Sequence, residues 1–295
     1  MTASSAPHAV PVAGGFLNIN KPAGWTSTDV VRRVKRLTGV KKVGHGGTLD
    51  PIATGVLPVC LGAATRFADA VLLGTKAYLL TVRLGAATDT YDSTGKVTRE
   101  ADASGIGEDQ VRAVLTRFTG IVQQAPPAYS ALKQQGRRLY DLARAGVKVE
   151  TAPRQVEVRE LRLTRWSWPE FDLAIECGHG FYARSLANDI GEALGSAAHL
   201  SGLVRTRAGR FELKDAVSLD ELERRAAGGR WQELLLPLDF TLKHLKPVTL
   251  DPLREEMVLN GQPLPAGDIG GGAEEFTPGD EVRAYSREGR LIAIL

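Results

Sequence analysis

Cysteine is nearly absent: the 295 residues include two, Cys60 and Cys177, neither in a CxxC pair. That excludes a disulfide framework and a thiolate zinc site. Five histidines are scattered without metal-ligand spacing, so no metal is expected. No apolar run approaches the roughly 18 residues that a membrane-spanning helix needs. The opening fifteen residues, MTASSAPHAVPVAGG, lack both the basic start and the apolar stretch of a secretory signal. They read as a disordered leader, and the protein as cytoplasmic. A strong excess of one charge is missing too. The 37 Lys and Arg against 34 Asp and Glu leave a net +3, a total that says less than its distribution.

What is present is an ordinary globular composition, 43% hydrophobic and 24% charged, with length for one large domain and a small one. Residues 246–295 carry five basic and nine acidic side chains, so the first 245 residues hold +7. Three stretches concentrate it. Residues 27–42 have six basic side chains against one acid, 133–148 five against one, and 202–214 four against one. A single charge run is usually a solvated face, but three around one glycine-rich loop read as an RNA footprint.

That loop is GHGGTLDPIATGVLP, Gly44 to Pro58, and Asp50 is its only acid. Its glycines allow tight turns, and Pro51 keeps Asp50 extended. Ile52, Val56, Leu57 and Val59 supply an apolar floor. Spacing alone allows two readings, a presented catalytic carboxylate or a turn cap. Before the loop, FLNIN (16–20) is a strand ending at Lys21-Pro22, with Lys21 either a phosphate contact or a packing residue beneath the loop. A helix capped by Ser27 or Thr28 follows to about Leu37, built on Val30, Val31, Val34 and Leu37 and stopped by Gly39.

After it, Lys76 to Gly85 alternates as a half-buried strand with Tyr78 on the inner face. The turn from Ala87 to Gly95 holds Asp89 and Asp92, whose roles stay open. Asp109 to Phe118 is a second amphipathic helix. Pro126-Pro127 leads into a basic segment in which Tyr129 and Tyr140 stand among Lys133, Arg137, Arg138 and Arg144, with a short helix at about 139–144. Gln155–Trp166 and Phe171–Cys177 form a hairpin around Trp168-Pro169. Arg184 then opens a helix where acids are preferred, a local conflict that hints at a functional demand. From Lys246 the pattern changes to short strands and turns, with signals at Asn260-Gly261 and Pro278-Gly279.

The loop does not stand alone. FLNINKPAGWTSTDVVRRVKR (16–36), KAYLLTVRLGAATDTYDSTG (76–95), QQAPPAYSALKQQGRRLYDLARAG (123–146), ECGHGFYARSLANDIGEAL (176–194) and LVRTRAGRF (203–211) accompany it. Together these blocks resemble the TruB family of bacterial tRNA pseudouridine-55 synthases, in the family's order. The resemblance implies an α/β (α+β) pseudouridine synthase fold, a mixed sheet flanked by helices over 16–245. Within it 123–146 is an RNA-holding insertion, and 246–295 is a small PUA-like β-barrel tail.

It further implies that the T-loop uridine at tRNA position 55 is flipped out and isomerised, without cofactor or protein partner, by a monomer. Residue by residue, Asp50 matches the catalytic carboxylate and Arg184 the arginine that pairs with it and would lower its pKa. Tyr78 matches the residue that stacks on the base and serves the C5 proton. Tyr182 and Leu203 match pocket walls, and His45 a contact to the extruded nucleotides. Tyr129, Lys133 and Arg205, from the basic stretches, join them as RNA contacts. Two positions depart from the family's spelling: Gly46 replaces a threonine, and Tyr91 an acid. Two other readings fit the same blocks, a tRNA-binding folding chaperone and a guide-RNA-dependent relative that modifies ribosomal RNA. A glycosidase would want two placed carboxyl groups, and only Asp50 presents itself.

Overall fold

The structure, a computed structural model, describes residues 14–129, 151–265 and 279–295, together with the backbone of 133–134 and 137–138. The first strand, β1 (Gly14–Lys21), leads to helix α1 (Ser27–Thr38), then β2 (Val43–His45) and β3 (Thr54–Gly62). A 3-10 turn and α2 (Ala68–Leu73) precede β4 (Lys76–Leu84), the short pair β5 (Ala86–Thr88) and β6 (Val97–Glu100), and α3 (Glu108–Leu115). β7 (Gly120–Gln124), a two-residue pair β8 (Lys133–Gln134) and β9 (Arg137–Arg138), and the hairpin of β10 (Arg154–Ser167) and β11 (Glu170–Cys177) follow. Then come α4 (Ala183–Ala193), β12 (Ala198–Ala208), β13 (Phe211–Glu212) and α5 (Leu219–Ala227). The tail is β14 (Lys246–Thr249), α6 (Pro252–Leu259), β15 (Val282–Tyr285) and β16 (Leu291–Ile294).

Nine strands make one mixed sheet in the order β1-β3-β12-β4-β11-β10-β7, with β2 beside β3 and β13 beside β12. Its one parallel pairing joins β3 to β12, Thr54 opposite Val204 and Gly55 opposite Arg205. β3 is apolar on both faces because both are covered. Leu57, Val59 and Leu61 enter the main core with α1 and α5, while Val56 and Cys60 pack with Phe16, Val71 and Phe211 on the far side. β4 alternates as the sequence implies: Leu80, Val82 and Leu84 are buried, and Leu79 and Arg83 are exposed.

Three boundaries differ from expectation, each for a physical reason. β1 starts at Gly14, which pairs with Gly62, so Gly14 and Gly15 belong to the sheet rather than to a leader; residues 1–13 lie outside the described residues. The cap of α1 is Thr26, whose side chain accepts from Asp29 N–H at 3.1 Å while the Asp29 carboxylate accepts from Thr26 N–H at 3.1 Å. Ser27 is turned inward and serves the loop before Asp50 instead. In the tail, the turn at Asn260-Gly261 follows a helix, α6, where only short strands and turns were expected. Among the described residues the tail forms a three-stranded sheet, β14-β15-β16, and no closed barrel. It is tied to the preceding segment by Asp239, which accepts from Tyr285 Oη at 2.6 Å and Arg283 Nη1 at 3.0 Å. The helix expected at about 139–144 lies outside the described residues.

Candidate active site

The Gly44–Ala53 loop is held from below by charges that never reach solvent. Ser27 Oγ accepts from Leu49 N–H at 2.8 Å and donates to Leu49 O at 3.2 Å, fixing the residue before Asp50. Lys21, fully buried, donates from Nζ to Trp25 O at 2.6 Å, Pro22 O at 2.9 Å and Pro51 O at 3.4 Å. Burial lowers its pKa to about 8, with the Asp50 charge opposing. Of its two sequence readings, packing beneath the loop is the observed one.

Arg205 is the largest correction. Only 1% exposed, it donates from Nε to Val56 O at 2.7 Å, from Nη2 to Gly47 O at 3.1 Å and from Nη1 to Thr48 O at 3.4 Å. A guanidinium engaged with three backbone carbonyls supports the loop from within, at the wall of the Asp50 cleft beside Tyr78 rather than on an open surface. The close approach that permits this needs Gly55: a Cβ there would lie 2.3 Å from Arg205 O, and φ is +98°. Gly46 likewise has a reason. A Cβ at this position would stand 2.5 Å from the Cβ and Cγ1 of Val71, so α2 fills the space that a threonine would take.

Asp50 and Arg184 form a bidentate pair, Nε to Oδ2 at 2.9 Å and Nη2 to Oδ1 at 3.0 Å. The same guanidinium donates to Thr90 O at 3.2 Å and Tyr129 O at 2.9 Å. Its Nε also lies 3.8 Å from Asp92 Oδ2. Two carboxylates thus offset the poor placement of a cation at the start of α4. Asp92 is itself oriented by Thr90 Oγ1 at 2.8 Å and Thr94 N–H at 3.0 Å. Sequence reasoning left Asp92 open. Its signal was the run of threonines around it, the donors that now aim its carboxylate. Tyr91, between Thr90 and Asp92, adopts φ +62°, an uncommon conformation for a non-glycine residue.

α4 begins without a side-chain cap. Gln124 replaces it, accepting from Tyr182 N–H at 2.7 Å and donating to Tyr182 O at 3.0 Å. Ser185 Oγ adds a bond to Ala125 O at 2.6 Å. These contacts seat Arg184 by tying the end of β7 to the start of α4.

Above Asp50 lies a cleft of about 380 Å³, walled by Tyr78, Phe181, Tyr182, Leu203 and Leu72. The Tyr78 and Phe181 rings are tilted at 39° with centroids 6.4 Å apart. Leu72 was missed by sequence reasoning. It is 46% exposed at the end of α2, where Lys76 Nζ holds the backbone by donating to Val71 O at 3.1 Å, Gly74 O at 2.6 Å and Leu72 O.

The walls set the protonation states. Asp50 lines the cleft with 31% of its side chain exposed. Burial is the largest influence and lifts its carboxyl above the usual range; Arg184 pulls it down and Asp92 pushes it further up. The lowered pKa expected from the arginine alone is therefore corrected: desolvation outweighs the pairing. Burial also raises Tyr78, against the pull of Arg205, so its phenol is protonated at neutral pH. His45 turns into its own loop, with Nδ1 accepting from Gly47 N–H at 3.3 Å. Burial and Arg205 lower its pKa, so the ring is neutral.

Asp50, Tyr78, Arg184, Tyr182 and Leu203 thus share one cleft, with Tyr129 joined through its carbonyl. The side chain of Lys133 lies outside the described residues. No group of ligating side chains able to hold a metal occurs among the described residues. The arrangement can present a carboxylate beside an aromatic face in a cleft with room for a nucleoside.

Residues 35–183 match the model of the TruB family pseudouridylate synthase N-terminal domain, and 184–243 that of the tRNA pseudouridylate synthase B C-terminal domain. The chain is 40% identical over 281 residues to tRNA pseudouridine synthase B of Dehalococcoides mccartyi (strain CBDB1), covering 95% of this chain and 91% of that protein. The protein of the same name from Geobacillus thermodenitrificans is 45% identical over 255 residues, with 84% of each chain covered. Among solved structures, a Cbf5-Nop10-Gar1 complex is similar at TM-score 0.72 and 28% identity, over 95% of this chain and 77% of that one. An H/ACA RNP bound to a substrate RNA containing 2'-deoxyuridine is similar at TM-score 0.70 and 27% identity, with the same coverage.

Proposed function

The chain belongs to the TruB family of pseudouridylate synthases, and from that premise we propose that it isomerises the uridine at position 55 of the tRNA T-loop. The observation that carries the reading is the bidentate Asp50–Arg184 pair at the floor of an aromatic-walled cleft. The reaction breaks the N1–C1′ bond, turns the uracil and joins C5 to C1′. The C5 proton is lost and N1 gains one, so the product is an isomer and no redox partner enters. The base is inside a folded loop and has to be flipped out to be reached.

Asp50 is the reacting carboxylate. Whether it attacks the sugar or removes a ribose proton, it must be ionised, and Arg184 favours that form while fixing both oxygens. Tyr78 and Phe181 offer π-faces to the extruded base, and Leu203 closes the wall. Tyr78 meets the substrate as a neutral phenol. Any role as C5 base requires its phenolate, which the neighbouring Arg205 charge favours. Arg205, Lys21 and Ser27 position the loop.

We assign residues 14–245 to the catalytic domain, 123–146 to its RNA-holding insertion and 246–295 to a PUA-type tail, acting as a monomer in the cytoplasm beside its tRNA. The reading needs neither guide RNA nor protein partner. The relatives at 40% and 45% identity are named tRNA pseudouridine synthase B, whereas the Cbf5 complex is similar at 28% identity, which favours the tRNA enzyme over the guide-dependent relative. No helix among the described residues is long and apolar enough to cross a membrane. Carbodiimide labelling and primer extension on an unmodified tRNA transcript test the proposal. A single new stop reporting position 55 supports it. No stop, or stops elsewhere, overturns it.

A further inference from the structure

A second and larger concavity, about 690 Å³, lies between α1 and α5. Trp25, 37% exposed, forms part of its floor. Arg32, Arg33 and Arg36 line the α1 wall, and Asp220 and Glu223 the α5 wall. An ion pair joins its two walls, Arg33 Nη2 to Glu223 Oε2 at 2.5 Å. Its floor is joined to the catalytic loop. Gly24 N–H donates to Pro51 O at 2.8 Å, and the Trp25 carbonyl accepts from the Lys21 ammonium that also reaches Pro51 O.

The charges are unevenly engaged. Asp29 spends its carboxylate on the helix cap, and Arg32 meets it only loosely, at 3.4 Å with 73% of its side chain exposed. Arg36, Lys35, Lys41 and Lys42 make no ion pair among the described residues. An exposed indole beside the loosely held Arg32 and the unpaired Arg36 matches an unpaired nucleotide: the base has a π-face for the indole, and its phosphates suit Arg. Asp220 and Glu223 stand opposite as acceptors for ribose hydroxyl or base amino groups.

We propose that this groove is a second RNA subsite, in which an unpaired base of the tRNA stacks on Trp25 while Arg32 and Arg36 hold its flanking phosphates. It rests on the tRNA reading above. It is distinct from the catalytic cleft, with which it shares no lining residue, and its contribution falls on binding.

The test uses the full chain and an unmodified tRNA transcript, with Trp25→Ala, Trp25→Phe and the double variant Arg32→Ala/Arg36→Ala. Filter binding across a salt series gives Kd, and single-turnover pseudouridine formation gives the rate. Trp25→Ala should raise Kd about tenfold, as loss of one base–aromatic stack does, and Trp25→Phe should restore most of it. The double arginine variant should flatten the slope of log Kd against log salt by about 1.4, for two single-strand phosphate contacts. In each case saturating protein should recover the rate. Unchanged Kd and slope overturn the subsite, as does a rate that stays low at saturation, which would place the effect in the catalytic loop through Pro51. Wild type that forms no pseudouridine sinks the tRNA reading itself; active wild type with unaltered variants sinks only the subsite. The arginine variants, on exposed side chains, keep the test valid should Trp25→Ala fold poorly.

Discussion

Gly55→Ala probes how the catalytic loop is held without touching a residue that meets the substrate. The added methyl would sit 2.3 Å from Arg205 O, 2.9 Å from its N and 3.0 Å from its C. All three are backbone atoms of the paired strand, so no side chain can swing aside. The φ of +98° adds conformational strain of about 1–2 kcal/mol for an L-residue, and overpacking adds about 1–3 kcal/mol. A loss of about 2–5 kcal/mol in unfolding free energy follows. The larger effect should be on rate. Separating β3 from β12 moves the guanidinium that carries Gly47 O and Thr48 O, and with it Asp50; a displacement near 1 Å can cost about a hundredfold. Gly39→Ala is the control, since φ is +70° there but nothing lies within 4 Å. It should cost about 1–2 kcal/mol through strain alone and leave the rate unchanged. Urea unfolding and single-turnover pseudouridine formation, both below the unfolding transition, measure the two quantities. Equal behaviour of the two variants would refute the claim that the β3–β12 approach sets the position of Asp50.

Other perturbations bear on the same site. Activity should fall with acid at a higher pH than an ordinary aspartate would give, because burial raises the Asp50 pKa and the ionised form is the active one. Asp92→Asn removes a like charge, so the acid limb of a pH–rate profile should move to lower pH; a shift upward would contradict the reading. Arg184→Lys keeps the charge but loses the fork, and should lose far more in kcat than in tRNA binding by filter assay. Ser27→Ala leaves the buried Leu49 N–H and C=O without their partner and should cost about 1–3 kcal/mol in urea unfolding with a fall in rate. Thr26→Ala, which removes only the helix cap, should cost about 1 kcal/mol and spare the rate.

Much of the local structure could be read from the chain because short-range rules decide it. Alternation in β4 and helical spacing in α1 are local patterns, and their buried faces are where the apolar residues stand. What escaped depends on distant contacts. Arg205 sits in a basic stretch and reads as a surface cation; only its crossing with β3, some 150 residues earlier, buries it against loop carbonyls. Gly46 reads as a missing hydroxyl until Val71 is seen to occupy the space. Desolvation of Asp50 depends on walls from β4, α4 and β12, so pairing with Arg184 alone suggested the opposite pKa direction. Ser27 looks like a helix cap because the cap rule ignores Leu49. In the tail, Asn-Gly signals a turn equally well after a helix as between strands, and α6 decides for the helix.

On the proposed mechanism Asp50 carries out bond exchange at one flipped uridine. Tritium release from a tRNA transcript containing C5-tritiated uridine tests it most directly, comparing wild type with Asp50→Asn at protein concentrations that saturate binding. Wild type should release about one equivalent per tRNA, as loss of one C5 proton at one flipped base requires, and the variant none although it still binds. Release by Asp50→Asn at the wild-type rate, or none by folded wild type that binds the tRNA, would contradict it.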